Sequence, residues 1–245
     1  NMSCRKEHTC IKCLSCNEVS FMQDICPKCK SNKLELVSLP CENCVSGLKK
    51  EILNLIKILT TDLQIQRENI LVSFSGNDGF HLYVTNSAYN TLGSKERSDL
   101  SDYIMFRRAI PEAFGFKKAN PSRSLFPELV EPGWRGRVAT SLFGSKSNRS
   151  KGVTKIISDG YYAYRQRLEE MGKNSIGIRI DPNVTVDIHR IFRLEGSLNS
   201  KSGLTKLACE NIINFSPYTD ACLIDDKSVE VLAKCPTAFR LKNKK

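Results

Sequence analysis

With 245 residues, 40% of them hydrophobic and 26% charged, the chain has an ordinary globular composition and enough length for a substantial core in one large domain or two small ones. No apolar run is long enough to span a bilayer, and the start, NMSCRKEH, carries no apolar segment, so neither a transmembrane helix nor a signal peptide is predicted. A net charge of +11, from 37 Lys and Arg against 26 Asp and Glu, suits a polyanion such as nucleic acid or nucleotides, and no basic amphipathic helix stands out for a membrane surface.

The first element is rich in cysteine. Eight of the 11 cysteines fall within the first 44 residues, at Cys4, Cys10, Cys13, Cys16, Cys26, Cys29, Cys41 and Cys44. A secreted disulfide scaffold is also Cys-dense. Here, however, Cys13/Cys16, Cys26/Cys29 and Cys41/Cys44 are each C-x-x-C pairs, the spacing at which a tight turn aims two thiolates at one ion. That reading implies a reducing compartment and a cytoplasmic location. The nine residues between the first two pairs, including EVSF, are expected to form a hairpin, giving a zinc ribbon on Cys13, Cys16, Cys26 and Cys29. Cys4 and His8 at one end and Cys41 and Cys44 at the other are expected to close a second site around it. An alternative pairing puts Cys10 and Cys13 in the ribbon and leaves Cys16 free. Two structural Zn²⁺ are expected, since sites closed by thiolates keep no position for a reacting water. Lys28, Lys30 and Lys33 would offset the thiolate charge. A segment of this size has too small a core to fold alone, so metal would supply its folding free energy. Residues 1–45 are therefore read as a zinc module and 46–245 as the main domain.

Val45, Leu48, Ile52, Leu55, Ile56, Leu59 and Leu63 then recur at three- and four-residue steps and predict an amphipathic helix. Next comes ILVSFSGNDGFHLYV, residues 70–84, whose alternation predicts two strands around a glycine-containing turn. Residues 88–110 read as helical, and 111–133, with four prolines, as an irregular connection. WRGRVATSLFG and VTKIISDGYYAYRQRLEEM predict one helix each. IGIRI, 176–180, predicts a strand with Asp181 at its end. SLNSKSGLTKLA predicts a strand pair turning at Ser202 and Gly203, and SVEVLAKCPTAFRL further strand. The class is α+β: a mixed sheet flanked by helices, with a zinc module in front.

Two stretches can carry chemistry. In SGNDGFH the glycines let a ligand approach the backbone, and Ser75 and His81 can bond phosphate oxygens. A tight hairpin with a satisfied histidine explains that stretch equally well. In DPNVTVDIHRIFRLEGSLNSKSGL, Asp181 can hold a divalent ion while Arg193 and Lys201 bracket LEGSLNS, a pattern suited to a metal–triphosphate site. Here the plain alternative is a turn with surface charge.

Taken together, these stretches resemble the small, catalytic subunit of the archaeal and eukaryotic replicative DNA primases. That family carries S-G-x-R-G-x-H, here Ser75 to His81. It later carries D-x-x-V-T/S, a basic residue and S-x-H-x-K-[ST]-G, here Asp181, Val184, Thr185, Arg193, Ser197, Asn199, Lys201, Ser202 and Gly203. GWRGR, 133–137, is similar to archaeal members, and some archaeal members place a ribbon between the halves of a zinc motif, as Cys4, His8, Cys41 and Cys44 do around Cys13 to Cys29.

The resemblance implies a primase-type catalytic fold and template-directed nucleotidyl transfer that makes primers for DNA replication. It implies binding of nucleoside triphosphates and a single-stranded DNA template, and a primase large subunit as heterodimer partner. Ser75, Asn77, His81, Arg193, Asn199 and Lys201 would hold the nucleotide, and Asp181 would be one of three aspartates holding Mg²⁺ or Mn²⁺. Asp78 stands where the family has Arg, and Asn199 where it has His. No D-x-D occurs in the chain, whereas the family carries two metal-binding aspartates in that form before the zinc motif. The expectation is a partial chain that makes no primers by itself. The alternatives are a non-catalytic primase-like accessory subunit and a zinc-ribbon nucleic-acid-binding protein.

Overall fold

A computed structural model describes residues 9–21, 23–38 and 41–223. Strands β1 (Thr9–Cys13), β2 (Val19–Phe21) and β3 (Leu34–Ser38) form one antiparallel sheet in the order β2-β1-β3. The expected hairpin between the two cysteine pairs is not what forms. Val19 to Phe21 pair back onto residues 10–12, so the chain reverses through the Cys13–Cys16 turn itself. The turn can do this because Cys13 N–H donates to the Glu18 carbonyl and Asn17 N–H to the Cys13 carbonyl, closing the knuckle locally.

Helix α1 (Glu42–Thr61) follows the predicted periodicity and buries Val45, Ile52, Leu55, Ile56, Ile58 and Leu59. Cys41 caps its start, with Sγ accepting the Cys44 N–H at 3.4 Å. Strands β4 (Ile70–Phe74) and β5 (Phe80–Val84) are the predicted hairpin, and β6 (Leu207–Ala208) pairs on the other side of β4. A mixed sheet was expected; the pairings among the described strands are all antiparallel.

The helices are α2 (Ser94–Ile104), α3 (Gly133–Phe143), α4 (Lys146–Asp159), α5 (Tyr161–Asn174), α6 (Pro182–Val186) and α7 (Pro217–Asp220). The stretch expected as one helix after α3 is two, because Gly160 adopts φ 88°, a conformation that ends α4 and that side chains disfavour. One core joins α1, β4 and the ends of α2 to α5 through Phe74, Ile104, Trp134, Val138, Val153 and Leu168. The class is α+β.

IGIRI does not form a strand. Ile178 is buried and its N–H bonds the Ile104 carbonyl at 3.2 Å, while both edges of β4 are already taken by β5 and β6. The alternating isoleucines therefore meet their burial demand by packing Ile178 in the core and Ile176 and Ile180 against it, without a ladder. Asp181 consequently does not end a strand. It caps α6, its carboxylate accepting the Asn183 N–H at 3.0 Å, and α6 lies against α2. The pair expected within SLNSKSGLTKLA reduces to a single Leu198–Thr205 bridge. The strand expected in SVEVLAKCPTAFRL lies outside the described residues.

GWRGR has a packing role. Arg137 forks onto Asp62 at 2.6 and 2.8 Å, and Tyr103 O–H bonds the same carboxylate at 2.9 Å. Arg135 bonds Glu131 and donates to the Ala113 and Leu125 carbonyls at 2.6 and 2.9 Å. These two side chains tie the irregular connection to α1 and α3.

Candidate nucleotide site and cysteine cluster

The β4–β5 turn is built by Ser75, whose Oγ accepts the N–H groups of Asn77 and Gly79, each at 3.3 Å. Its hydroxyl proton remains available to a ligand. Gly76 has φ 80°, and a Cβ there would stand 3.0 Å from the Leu204 carbonyl oxygen and 3.1 Å from the Lys206 nitrogen. The turn thus lies directly on the 204–206 backbone. Ser202 Oγ donates to the Gly76 carbonyl, and Arg193 Nη1 to the Ser75 carbonyl at 3.4 Å. Three segments far apart in sequence therefore meet here: the turn, Arg193, and 202–206.

His81 sits opposite Ser73 in the hairpin, with its ring edge-on to Phe192 at 5.4 Å. Its Nδ1 is buried with no hydrogen-bond partner. Burial, then the positive charges of Lys206, Arg190 and Arg193, hold its pKa below the usual 6.5. The neutral ring offers one donor and one acceptor. Asn77 lies in the turn, with Nδ2 donating to Asp78 Oδ1 at 3.2 Å. Asn199 faces inward, and its Oδ1 accepts the Lys201 N–H at 2.9 Å. Lys201 is exposed.

Sequence reasoning missed Lys206. It is 4% exposed, donates to Tyr83 O–H at 2.8 Å and to the Arg193 carbonyl at 2.6 Å, and so fixes the backbone that presents Arg193. Ser73, also missed, donates to Glu195 at 2.8 Å. The available signal was a lone lysine inside the apolar run LTKLA. A hydroxyl, a guanidinium and a neutral imidazole near a glycine turn are groups whose donors suit an anion.

Asp181 is exposed and belongs to no cluster of three or more potential metal ligands among the described residues. One aspartate does not fit a pair of divalent ions.

The cysteines fit an ion well. Sγ atoms of Cys13, Cys16, Cys26 and Cys29 all lie within 4.8 Å of one another, with Cys13–Cys29 at 3.4 Å and Cys16–Cys26 at 3.6 Å. Tetrahedral Zn–S bonds of ~2.3 Å place sulfurs roughly 3.8 Å apart. Burial raises the Cys13 thiol, but the backbone N–H groups of Cys16 and Ser15 and the neighbouring sulfurs outweigh it and bring it down to about 6. At Cys16 the Glu18 backbone favours the thiolate, yet burial and the other three sulfurs push it up to about 12. Crowded thiols that share protons in this way are ready to exchange them for a cation. Cys41 and Cys44 lie at the start of α1. Cys4 and His8, their expected companions, lie outside the described residues, as does any account of the Cys10 side chain.

A family model described as DNA primase small subunit matches residues 37–208, which include the turn, Arg193 and Lys206. The chain belongs to the DNA primase small subunit family. It is similar to curated members named DNA primase small subunit PriS. It is 53% identical over 245 residues to that of Nitrosopumilus maritimus, covering all of this chain and 65% of the relative. It is 43% identical over 240 residues to that of Cenarchaeum symbiosum, covering 98% and 64%, and 28% identical over 246 residues to that of Methanococcoides burtonii, covering 80% and 63%. The chain thus spans about 65% of the length of the two most similar of these. The family match begins after the Cys13–Cys29 cluster, which stands apart from the matched primase segment.

Proposed function

We propose that these residues are the nucleotide-holding and zinc-bearing part of a DNA primase small subunit, which makes primers by template-directed nucleotidyl transfer. The observation that supports this most is the contact of the Ser75–Gly79 turn with Arg193 and the 202–206 segment. In this reading Arg193 and the Ser75 hydroxyl bind the triphosphate, and neutral His81 donates one further bond. Asn77 and Lys201 stand at the rim, and Asn199 shapes the loop that carries Lys201. The partners are nucleoside triphosphates, a single-stranded DNA template and a large subunit; the place is the cytoplasm.

Zinc at Cys13, Cys16, Cys26 and Cys29 would be structural, joining the two knuckles that end β1 and precede β3. A second zinc would use Cys41 and Cys44 with Cys4 and His8. Residues 1–45 would then be a zinc module and 46–245 part of the catalytic domain. Mg²⁺ or Mn²⁺ would supply charge neutralisation at the transferred phosphate, with Asp181 as one ligand.

The non-catalytic accessory reading has its own support: Asp78 puts an anion in the turn, and Asp181 belongs to no cluster of three or more potential metal ligands among the described residues. The deciding experiment is primer synthesis on single-stranded template with Mn²⁺ and a large subunit. The 245 residues alone are expected to make no primers. Supplying a strand with D-x-D in cis is expected to start synthesis, and Asp181→Asn then to abolish it. Robust synthesis by the unmodified chain would contradict the reading, as would failure of the extended chain to respond to Asp181→Asn.

A further inference from the structure

The positive surplus of this protein is not spread evenly. Residues 105–179 hold 15 Lys and Arg against six Asp and Glu, so they carry nearly all of the net charge of +11. None of them belongs to the Ser75–Arg193 site. Within this stretch lies a cavity of about 590 Å³ between the loop that follows α2 and one face of α5. That volume is in the range of pockets that take small ligands. Its floor is apolar, with Phe106 and Ile178 buried. Arg107, Arg108, Arg165, Lys173 and Arg179 ring it, with Glu169 as the acidic residue of the lining.

Three of these cations are already engaged: Arg108 with Asp102, Arg165 with Glu169, and Arg179 with Glu51. Arg107 and Lys173 are exposed and form no ion pair among the described residues.

The cavity is held rigidly. Met105, Phe106 and Arg107 spend their N–H groups on the carbonyls of Ser101, Tyr103 and Asp102. Phe106 and Arg108 both have positive φ, 51° and 56°, which folds the loop back over α5. Gly172 permits that approach, since a Cβ there would come within 2.6 Å of the Phe106 carbonyl oxygen. Two uncommitted cations on a fixed loop and a helix, above an apolar floor, match a phosphate and a flat apolar group on one ligand. The surrounding positive field favours a chain of such units over a single one.

We infer that this cavity is a seat for one nucleotide of a single-stranded nucleic acid, with Arg107 and Lys173 on phosphates and the base over Phe106 and Ile178. The polyanion's identity rests on the primase reading above; the site itself does not.

The test is binding of a short fluorescent oligothymidylate to the full chain, followed by anisotropy at several salt concentrations. Single-strand contacts change the log–log salt slope by ~0.7 per phosphate. Arg107→Ala/Lys173→Ala is therefore expected to lower affinity roughly tenfold and the slope by about 1.4. Lys146→Ala/Lys151→Ala, exposed residues of α4 that remove the same charge, are expected to cost under about twofold. Photocrosslinking from 5-iodouracil in the oligonucleotide should label residues 105–110 or α5.

Equal losses in the two double variants, or crosslinks only elsewhere, would overturn the seat while leaving the Ser75–Arg193 reading intact. Competition by mononucleotide or polyglutamate as strong as by oligothymidylate would overturn the strand assignment. Absence of any oligonucleotide binding by the wild-type chain would overturn both this inference and the nucleic-acid part of the primase reading.

Discussion

The described residues form two three-stranded antiparallel sheets, one packed into the main core and one beside the Cys13–Cys29 cluster. In β5-β4-β6, Ile70, Val72 and Phe74 are buried in the main core, and Phe74 packs edge-on to Phe80 at 5.5 Å and tilted against Phe215 at 5.4 Å. In β2-β1-β3 the described buried side chains are Ile11 and the Cys13 thiol, and Cys26, also buried, lies in the connection before β3. The first sheet is ordered by its share of the apolar core, whereas we propose that the second relies on metal at the cysteine cluster. The sheet with the apolar core carries His81, whose Nδ1 is buried without a partner, on β5, and the buried Lys206 lies just before β6.

Metal removal should break this contrast most strongly. Metal analysis is expected to give two zinc ions per chain, two in Cys10→Ser and one in Cys26→Ser. Structural zinc contributes ~10 kcal/mol or more to small modules. Hydrogen-exchange protection in β1 to β3 should therefore vanish in Cys26→Ser while β4 keeps its own. Retained protection in β1 to β3 would show that the sheet stands without metal.

Phe74→Ala is the reciprocal change. Phe74 is 1% exposed, and its removal should cost about 3–5 kcal/mol in denaturant unfolding with zinc content unchanged. A loss of under about 1 kcal/mol would contradict the core assignment.

Asp62 comes next in size. Its side chain is 4% exposed. Burial raises its pKa, but the bonds from Arg137, Thr61 and Tyr103 outweigh that and hold it below the ordinary carboxylate value. A depressed carboxylate stabilises the fold at pH above its unfolded pKa, and this stability is lost as pH falls through the lower folded value. Arg137→Met should destabilise the protein by roughly 2–3 kcal/mol at pH 7, at or below the usual range for a broken buried pair because Arg137 is partly exposed. It should also flatten the loss of stability below about pH 4. An unchanged acid limb would count against the pair.

The smallest effect belongs to His81. Its lowered pKa means the unfolded chain binds a proton before the folded one does, so stability declines as pH falls below about 6.5. Proton NMR should find His81 titrating below that value, and Lys206→Met should bring it back up. A His81 that titrates at or above the ordinary value would contradict the buried, cation-facing environment.

What could be read from the sequence follows the range of the interactions. Helix α1 and the β4–β5 hairpin were legible because their periodicity and turn residues are local. IGIRI was misread because strand formation needs a partner, and both sides of β4 are taken by residues 80–84 and 207–208. GWRGR was visible as a motif but not as a tie, since Arg137 meets Asp62 from 75 residues away. Ser75, His81 and Arg193 were singled out by the glycine turn, the spaced cations and the family resemblance, and the structure brings Arg193 to the Ser75 carbonyl. Lys206 was not, because its burial depends on Tyr83, 123 residues distant.

Calorimetric titration of a nucleoside triphosphate into the wild-type chain and into Arg193→Ala tests the central claim most directly. A lost charge-assisted phosphate contact is worth ~1.5–3 kcal/mol, so the variant is expected to bind roughly ten- to a hundredfold more weakly. Equal affinity in the two chains would mean that the Ser75 turn and Arg193 do not form a triphosphate site.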